Sequence, residues 1–212
     1  MIFEQQCAKP APGRPGVAPR WTRGNKDAIG TAYSTPSHVW FTLSRGIIEE
    51  VYYPTADRPQ TRDLQYLITD GETFFHDERR DLESEIESLA PHALGFRIVS
   101  REPEGRYAIH KEIIADPHFS SILIRTRLEP RPDLEGKLRL FVLLAPHLEV
   151  GGRGNNGSVV EVSERRILFA SKTKDAVAMA RNQTPNPSPC SRIGPSSRRS
   201  RPHIPPNSEE KE

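Results

Sequence analysis

The sequence predicts an all-β protein, an antiparallel β-sandwich with a disordered C-terminal tail, and three observations carry that expectation. Apolar and β-branched residues fall in runs of about five to nine, each bounded by Gly, Pro, Asn, Asp or Ser, which is the punctuation of strands rather than of helices. Within the runs the character alternates: Ile122, Ile124, Thr126 and Leu128 lie on one side, Leu123, Arg125 and Arg127 on the other, as a half-buried strand requires. Between two of the runs stands Asp70-Gly71, a strong hairpin signal.

In chain order, residues 1–20 are rich in Pro and Gly and poor in apolar residues, which suits an extended arm. Trp21 is the first anchor. Strands are expected at 39–44, 49–54, 64–69 and 73–78, the last two joined through Asp70-Gly71, and then at 84–89, 96–101, 107–115 and 120–128. Three more follow at 137–144, 158–162 and 166–170. Residues 141–145 are apolar on both faces, so a central strand covered on each side is expected there. Helix competes only at 28–33 and 77–89, and strand or loop is preferred at both. The β-domain is therefore assigned to residues 21–180.

From Arg181 onward seven prolines interleave with Ser and Arg, and no aromatic residue occurs. Such a segment cannot bury enough apolar surface to offset about 1–2 kcal/mol of backbone entropy per residue. Residues 181–212 are expected to form a disordered tail.

A chain of 212 residues is long enough for one domain with a real core. Its formal charge of +2 hides a division: six basic and three acidic residues sit in the tail, which leaves 24 basic and 25 acidic residues of the 30 and 28 in the whole chain. A near-neutral body makes no case for a nucleic-acid surface. Cys7 and Cys190, near opposite ends, can build neither a disulfide framework nor a four-ligand zinc site. The first residues show no basic n-region and no apolar h-region, and no run approaches the roughly 18 apolar residues of a membrane span, so a soluble, cytoplasmic protein is expected.

The motifs are weighed by the chemistry they would need. Gly152, Gly154 and Gly157 fit a dinucleotide fingerprint by letter, yet the alternating, β-branched 158–162 offers no helix N-terminus to hold a pyrophosphate. The sequons at Asn156 and Asn182 carry no weight without a secretory signal. No cofactor is expected. Glycoside hydrolysis needs two carboxyl groups flanking the scissile bond, one protonated and one ionised. Glu83, Glu85 and Glu87 share one face of a strand and read as a solvated edge. Glu49 and Glu50, adjacent on a strand, should point to opposite faces and could not act together on one bond. The seven histidines show no metal-ligand spacing, so no metal site is expected; His147, at the end of an apolar strand, is the one to watch. No Ser sits in a nucleophile elbow. Trp40-Phe41, Tyr52-Tyr53 and Phe74-Phe75 are aromatic pairs in which one ring should face the core and the other outward.

Three blocks resemble a known family: KDAIGTAYS at 26–34, VWFTLSRGIIEEVYYP at 39–54 and TRDLQYLITDG at 61–71. Looser matches run through YAIHKEIIADP at 107–117 and LFVLLAPHLEVGGRGNNG at 140–157. In order and spacing they resemble the N-terminal β-domain of bacterial glucoamylases and glucodextranases of glycoside hydrolase family 15. The resemblance implies a supersandwich of galactose-mutarotase-like architecture, attached in cis to a catalytic (α/α)6 barrel that hydrolyses α-glucans with inversion. The acid and base carboxylates of that family lie in the barrel, so no catalytic residue is assigned here and the chain alone is expected to be inactive. Its implied role is to buttress and help fold the barrel, with α-glucan as a further partner. Trp40, Tyr52, Tyr53 and His147 are the candidates for carbohydrate contact or a domain interface. Since the family's domain adds further strands, the composition break near 173–181 reads as a reading-frame change or truncation, with native disorder as the alternative. Exposed sheet edges would then favour self-association. Two other readings stay open: an independent carbohydrate-binding module, marked by an exposed aromatic platform, and a mutarotase-like sugar epimerase, which needs a His and a carboxylate converging in one concave site.

Overall fold

The computed structural model describes residues 20–163 and 165–180. Thirteen strands occupy them with one α-helical turn and two short 3-10 turns, and every strand pair is antiparallel. The first sheet has the order β1 (Ala28–Thr31), β2 (Trp40–Ser44), β3 (Ile47–Tyr52), β4 (Pro59–Thr69), then β10 (Arg139–Pro146), with the short β5 (Phe75–Asp77) also on β4. The second is a meander of β6 (Glu83–Ser88), β7 (Phe96–Arg101), β8 (Tyr107–Ala115) and β9 (Ile122–Pro130). A third, small sheet follows: β11 (Asn156–Val162), β12 (Arg165–Ser171) and β13 (Ala176–Ala180). The expected all-β sandwich is the observed fold. The tail assigned to 181–212 and the arm up to residue 19 lie outside the described residues.

Two clusters of alternate side chains hold the first two sheets together. Val39, Phe41, Leu43 and Ile48 of the first pack on Phe96, Ile98, Ile113 and Ala115 of the second. Phe41 and Phe96 meet edge to face at 6.4 Å, a favoured geometry of two ring quadrupoles. Tyr66 and Ile68 pack on Leu82, Tyr107 and Ile109 in the second cluster. The inward-facing set of β9 is the expected one, Ile122, Ile124, Thr126 and Leu128, all half-buried. Among the described residues no helix is long and apolar enough to cross a membrane.

Between the sheets a fully buried ion pair joins Lys111 of β8 to Glu78, the first residue of the helical turn α1 (Glu78–Asp81). Every polar partner is used. Glu78 accepts from the Tyr66 backbone N–H at 3.0 Å and from the Ser100 hydroxyl at 3.2 Å, while the Lys111 ammonium also donates to the Gly46 carbonyl and sits 5.6 Å over the Tyr66 ring. Burial pushes the Lys111 ammonium below its ordinary range, and the Glu78 carboxylate opposes that shift.

Several elements differ from expectation. The hairpin between β4 and β5 has a five-residue loop, because Asp70 accepts from the N–H groups of Glu72, Thr73 and Phe74 and holds a wider turn than two residues could make. The strand expected at 73–78 is cut to Phe75–Asp77, since Asp77 caps α1 by accepting from the Arg79 N–H at 3.0 Å. β13 is a strand that periodicity missed, and the stretch 28–33, read as strand or loop rather than helix, holds β1. The largest departure is β10. The run expected to be central pairs only with β4 and forms a sheet edge, leaving Phe141, Val142 and Leu143 50, 36 and 40% exposed.

Candidate functional site

The expected separation of Glu49 and Glu50 fails for a definite reason. In the pairing of β2 with β3, Phe41 lies opposite Val51 and Thr42 opposite Glu49, so Glu50 is an extra residue, a β-bulge, with φ of 65°. The bulge turns its carboxylate to the side that Glu49 already occupies. Lys26 bridges both, at 3.1 Å from Glu49 and 3.4 Å from Glu50. Arg79 contacts the other oxygen of Glu49 at 2.8 Å. Two buried like charges are tolerable here because two cations neutralise them.

The residues just before Lys26 complete the arrangement. Thr22 donates to Glu50 through its backbone N–H at 3.0 Å and its hydroxyl at 2.6 Å, and the Tyr52 hydroxyl donates at 2.5 Å. Burial raises the Glu50 carboxyl, but the hydrogen bonds of Thr22 and Tyr52 and the Lys26 charge outweigh it, so its pKa lies below the ordinary value. Burial, with the Glu50 hydrogen bond and charge, pushes the Tyr52 phenol well above its ordinary value. Tyr52 is therefore a fixed donor. Trp21, next in sequence to Thr22, meets the His147 ring edge-on at 5.3 Å.

His147 is buried; its Nδ1 lies 2.9 Å from the Pro146 carbonyl, and its Nε2 is sealed from solvent with no protein partner. Its backbone N–H donates to the Gln60 carbonyl at 2.9 Å. Gln60 in turn donates to the Tyr53 carbonyl and to Asp175, and accepts from the Glu149 N–H, each at 2.8 Å. This hub ties the small third sheet to the end of β4.

Of the four residues singled out from sequence, Trp40 and Tyr52 are cross-strand partners and both half-buried. Tyr53 is exposed, and His147 reaches the same neighbourhood through Trp21 and Thr22. The most exposed rings lie elsewhere, at Tyr33 and Phe119, which sequence reasoning passed over because each stands alone in a turn rather than in a strand pattern. Glu83, Glu85 and Glu87 line an exposed face of β6, as expected.

Two open clefts are found among the described residues. One, of about 420 Å³, is lined by Asp27, Ala28, Ser84, Ile86, Glu87 and Phe96 among others. The other, of about 540 Å³, is bounded by Arg101, Glu102, Tyr107, Glu129 and Arg131 with flanking prolines. Neither is lined by a histidine, although His110 Nε2 lies 3.0 Å from Glu129, which borders the second. Among the described residues no cluster of His, Cys, Asp and Glu could hold a metal ion.

Comparison with known proteins gives a consistent result. The model of the family described as Glucodextranase, domain N matches residues 11–199. A glucoamylase of Clostridium sp. (strain G0005) is 34% identical over 171 residues, covering 79% of this chain and 24% of that protein. The crystal structure of a bacterial glucoamylase complexed with acarbose superposes with a TM-score of 0.79 at 30% identity, covering 83% of this chain and 26% of that one. The chain spans about a quarter of the length of either relative.

Proposed function

Because the chain belongs to the glucodextranase domain N family, we propose that it acts beside a catalytic (α/α)6 barrel rather than on a glucan bond: it is the non-catalytic β-domain of an α-glucan hydrolase, and it buttresses the barrel and helps it fold. The observation that carries this reading is β10. An edge strand ordinarily defends itself with charge, proline or brevity. β10 instead runs Leu140 to Ala145 without a charge, with Phe141 and Leu143 open on one face and Val142 on the other. In the cluster that Leu140 joins, Leu128 of β9 is likewise only half-buried, whereas Tyr107 and Ile109 of β8 are buried. That side of the sandwich has the composition of an interior and the exposure of a surface, which is the mark of a face made for a partner.

The carboxylates fit the non-catalytic part of the reading. Glu49 and Glu50 are neutralised by Lys26 and Arg79, and Glu83, Glu85 and Glu87 face solvent. An inverting hydrolase needs two carboxyl groups about 6.5–9.5 Å apart across a substrate and a water, and these five are engaged otherwise. The test is capture in trans. The chain, co-expressed with the separately encoded barrel portion of the Clostridium glucoamylase, is expected to co-purify with it and raise its soluble yield, while releasing no glucose from maltose, starch or dextran alone. A barrel that folds and turns over equally well without the chain, and does not bind it, would overturn the buttress reading.

A further inference from the structure

The two most exposed large apolar side chains among the described residues are Tyr33 and Phe119, 77 and 71% exposed. They stand on two loops, 32–39 and 116–121, which project from the same end of the sandwich as Trp40 and Tyr52 and are tied directly together. The Ser34 hydroxyl donates to the Pro117 carbonyl at 2.5 Å, the Ser37 hydroxyl to the Phe119 carbonyl at 3.2 Å, and the His38 N–H to the Ser120 hydroxyl at 2.9 Å. The second loop is also braced from within: Asp116 accepts from the His118 and Phe119 N–H groups at 2.7 and 3.0 Å. Exposed rings on loops with this many cross-ties are held ready, so a ligand that stacks on them pays little ordering cost.

The rest of the surface narrows the ligand class. Thr35, His38, His118 and Ser120 are the exposed polar residues, and neither loop contains Lys, Arg or Glu. The single acid, Asp116, is committed to backbone N–H groups. Aromatic faces rimmed by hydroxyl and imidazole groups, without net charge, match a neutral polyhydroxylated chain and give no purchase to a phosphate or nucleic acid. We propose that Tyr33 and Phe119 form a stacking platform for a neutral glucan. The choice of an α-glucan as probe rests on the family reading, but the platform does not depend on the barrel-docking edge at β10.

Titration of the full chain with maltoheptaose, followed by NMR shifts and calorimetry, tests it. Tyr33→Ala and Phe119→Ala should each weaken binding about tenfold with unchanged thermal midpoints, since both side chains are exposed. Phe75→Ala, an exposed ring on β5 outside these loops, should leave binding unchanged. No binding of maltoheptaose at about 10 mM, where even a Kd of about 1 mM would nearly fill the site, or binding that Phe75→Ala weakens equally, overturns the platform. So does loss of barrel capture by Tyr33→Ala in a chain that binds no glucan, which would make the loops a domain contact. Failure of barrel capture with glucan binding intact would leave the platform standing and sink the buttress.

Discussion

Glu49 and Glu50 are consecutive residues of one strand, yet their carboxylates converge on the same Lys26 ammonium, because the bulge at Glu50 cancels the alternation of the pleat. The outcome is a latch that fastens the segment from Trp21 to Lys26 across β3. Glu50 is its centre, with Thr22, Lys26 and Tyr52 all directed at one carboxylate.

Glu50→Gln keeps the shape and removes the charge, so it is expected to destabilise the fold by about 1–3 kcal/mol at neutral pH, the usual worth of hydrogen bonds to a charged group. The sign of the pH dependence follows from the depressed pKa. The unfolded chain takes up its proton near 4.5, before the folded one does, so the latch contributes fully above that pH and is lost as pH falls through the lower folded value. Chemical denaturation from pH 7 to pH 3 should show a steeper acid loss in the parent than in Glu50→Gln. Parallel curves would remove Glu50 as the source.

Lys111 and Glu78 give a different signature, because both are buried. Removing one partner strands the other charge between the sheets, so Lys111→Met and Glu78→Leu should each cost about 3–5 kcal/mol. The double substitution Lys111→Met with Glu78→Leu is expected to recover much of that loss. A double variant as unstable as the sum of the singles would show that the Ser100, Tyr66 and Gly46 contacts, rather than the pair, are decisive.

Gly46 and Gly105 separate backbone strain from crowding. Both have positive φ, 78° and 71°, but a Cβ on Gly46 would lie 2.1 Å from the Ser84 hydroxyl oxygen, whereas one on Gly105 would meet nothing. Gly105→Ala should cost about 1–2 kcal/mol, the left-handed penalty alone. Gly46→Ala adds overpacking of the Ser84 and Ser100 pair, for about 2–5 kcal/mol in total. Equal midpoint shifts in urea would mean that Ser84 yields freely.

A charge on the open edge should change association rather than folding. Leu143→Lys follows the device that natural edge strands use, and it is expected to make the chain more monomeric in sedimentation and weaken capture of the barrel, with little change in melting temperature. A parent chain that is already a monodisperse monomer would rule out self-association through β10.

The sandwich was legible because alternation survives in most strands: β7 and β8 fall on the residues expected, and β9 shows the inward set read from its sequence. What was not legible depended on single residues acting at a distance or out of register. Nothing in Glu49-Glu50 announces a bulge, since the extra residue is defined by its partners Phe41 and Thr42 on another strand. The Asp70 and Asp77 side chains rewrote the turns around β5 by capping backbone N–H groups that a strand pattern ignores. At β10 the apolar run was read as a central strand covered on each side, and it is an edge, because composition does not say how many strands lie beside a run. Of the candidate site, Tyr52 and His147 were legible as outliers, and Lys26 and Thr22, which organise it, were not.

The pairing of β10 with β4 sets Arg139 against Thr69, so the whole meander β6 to β9 is an excursion between two neighbouring strands. Each hairpin of the meander closes a short loop, while the Thr69–Arg139 contact closes one of about 70 residues, at an entropic cost about 2 kcal/mol greater. Chain assembly is therefore expected to be stepwise: the meander zips first, and β10 docks afterwards onto a β4 that is far away in sequence. Amide exchange should retrace the order in reverse, with Phe141–Leu143 losing protection before Ile109–Ile113. The last strand of that sheet to arrive is then the one whose free side faces outward, so the late-folding edge and the proposed joining surface coincide.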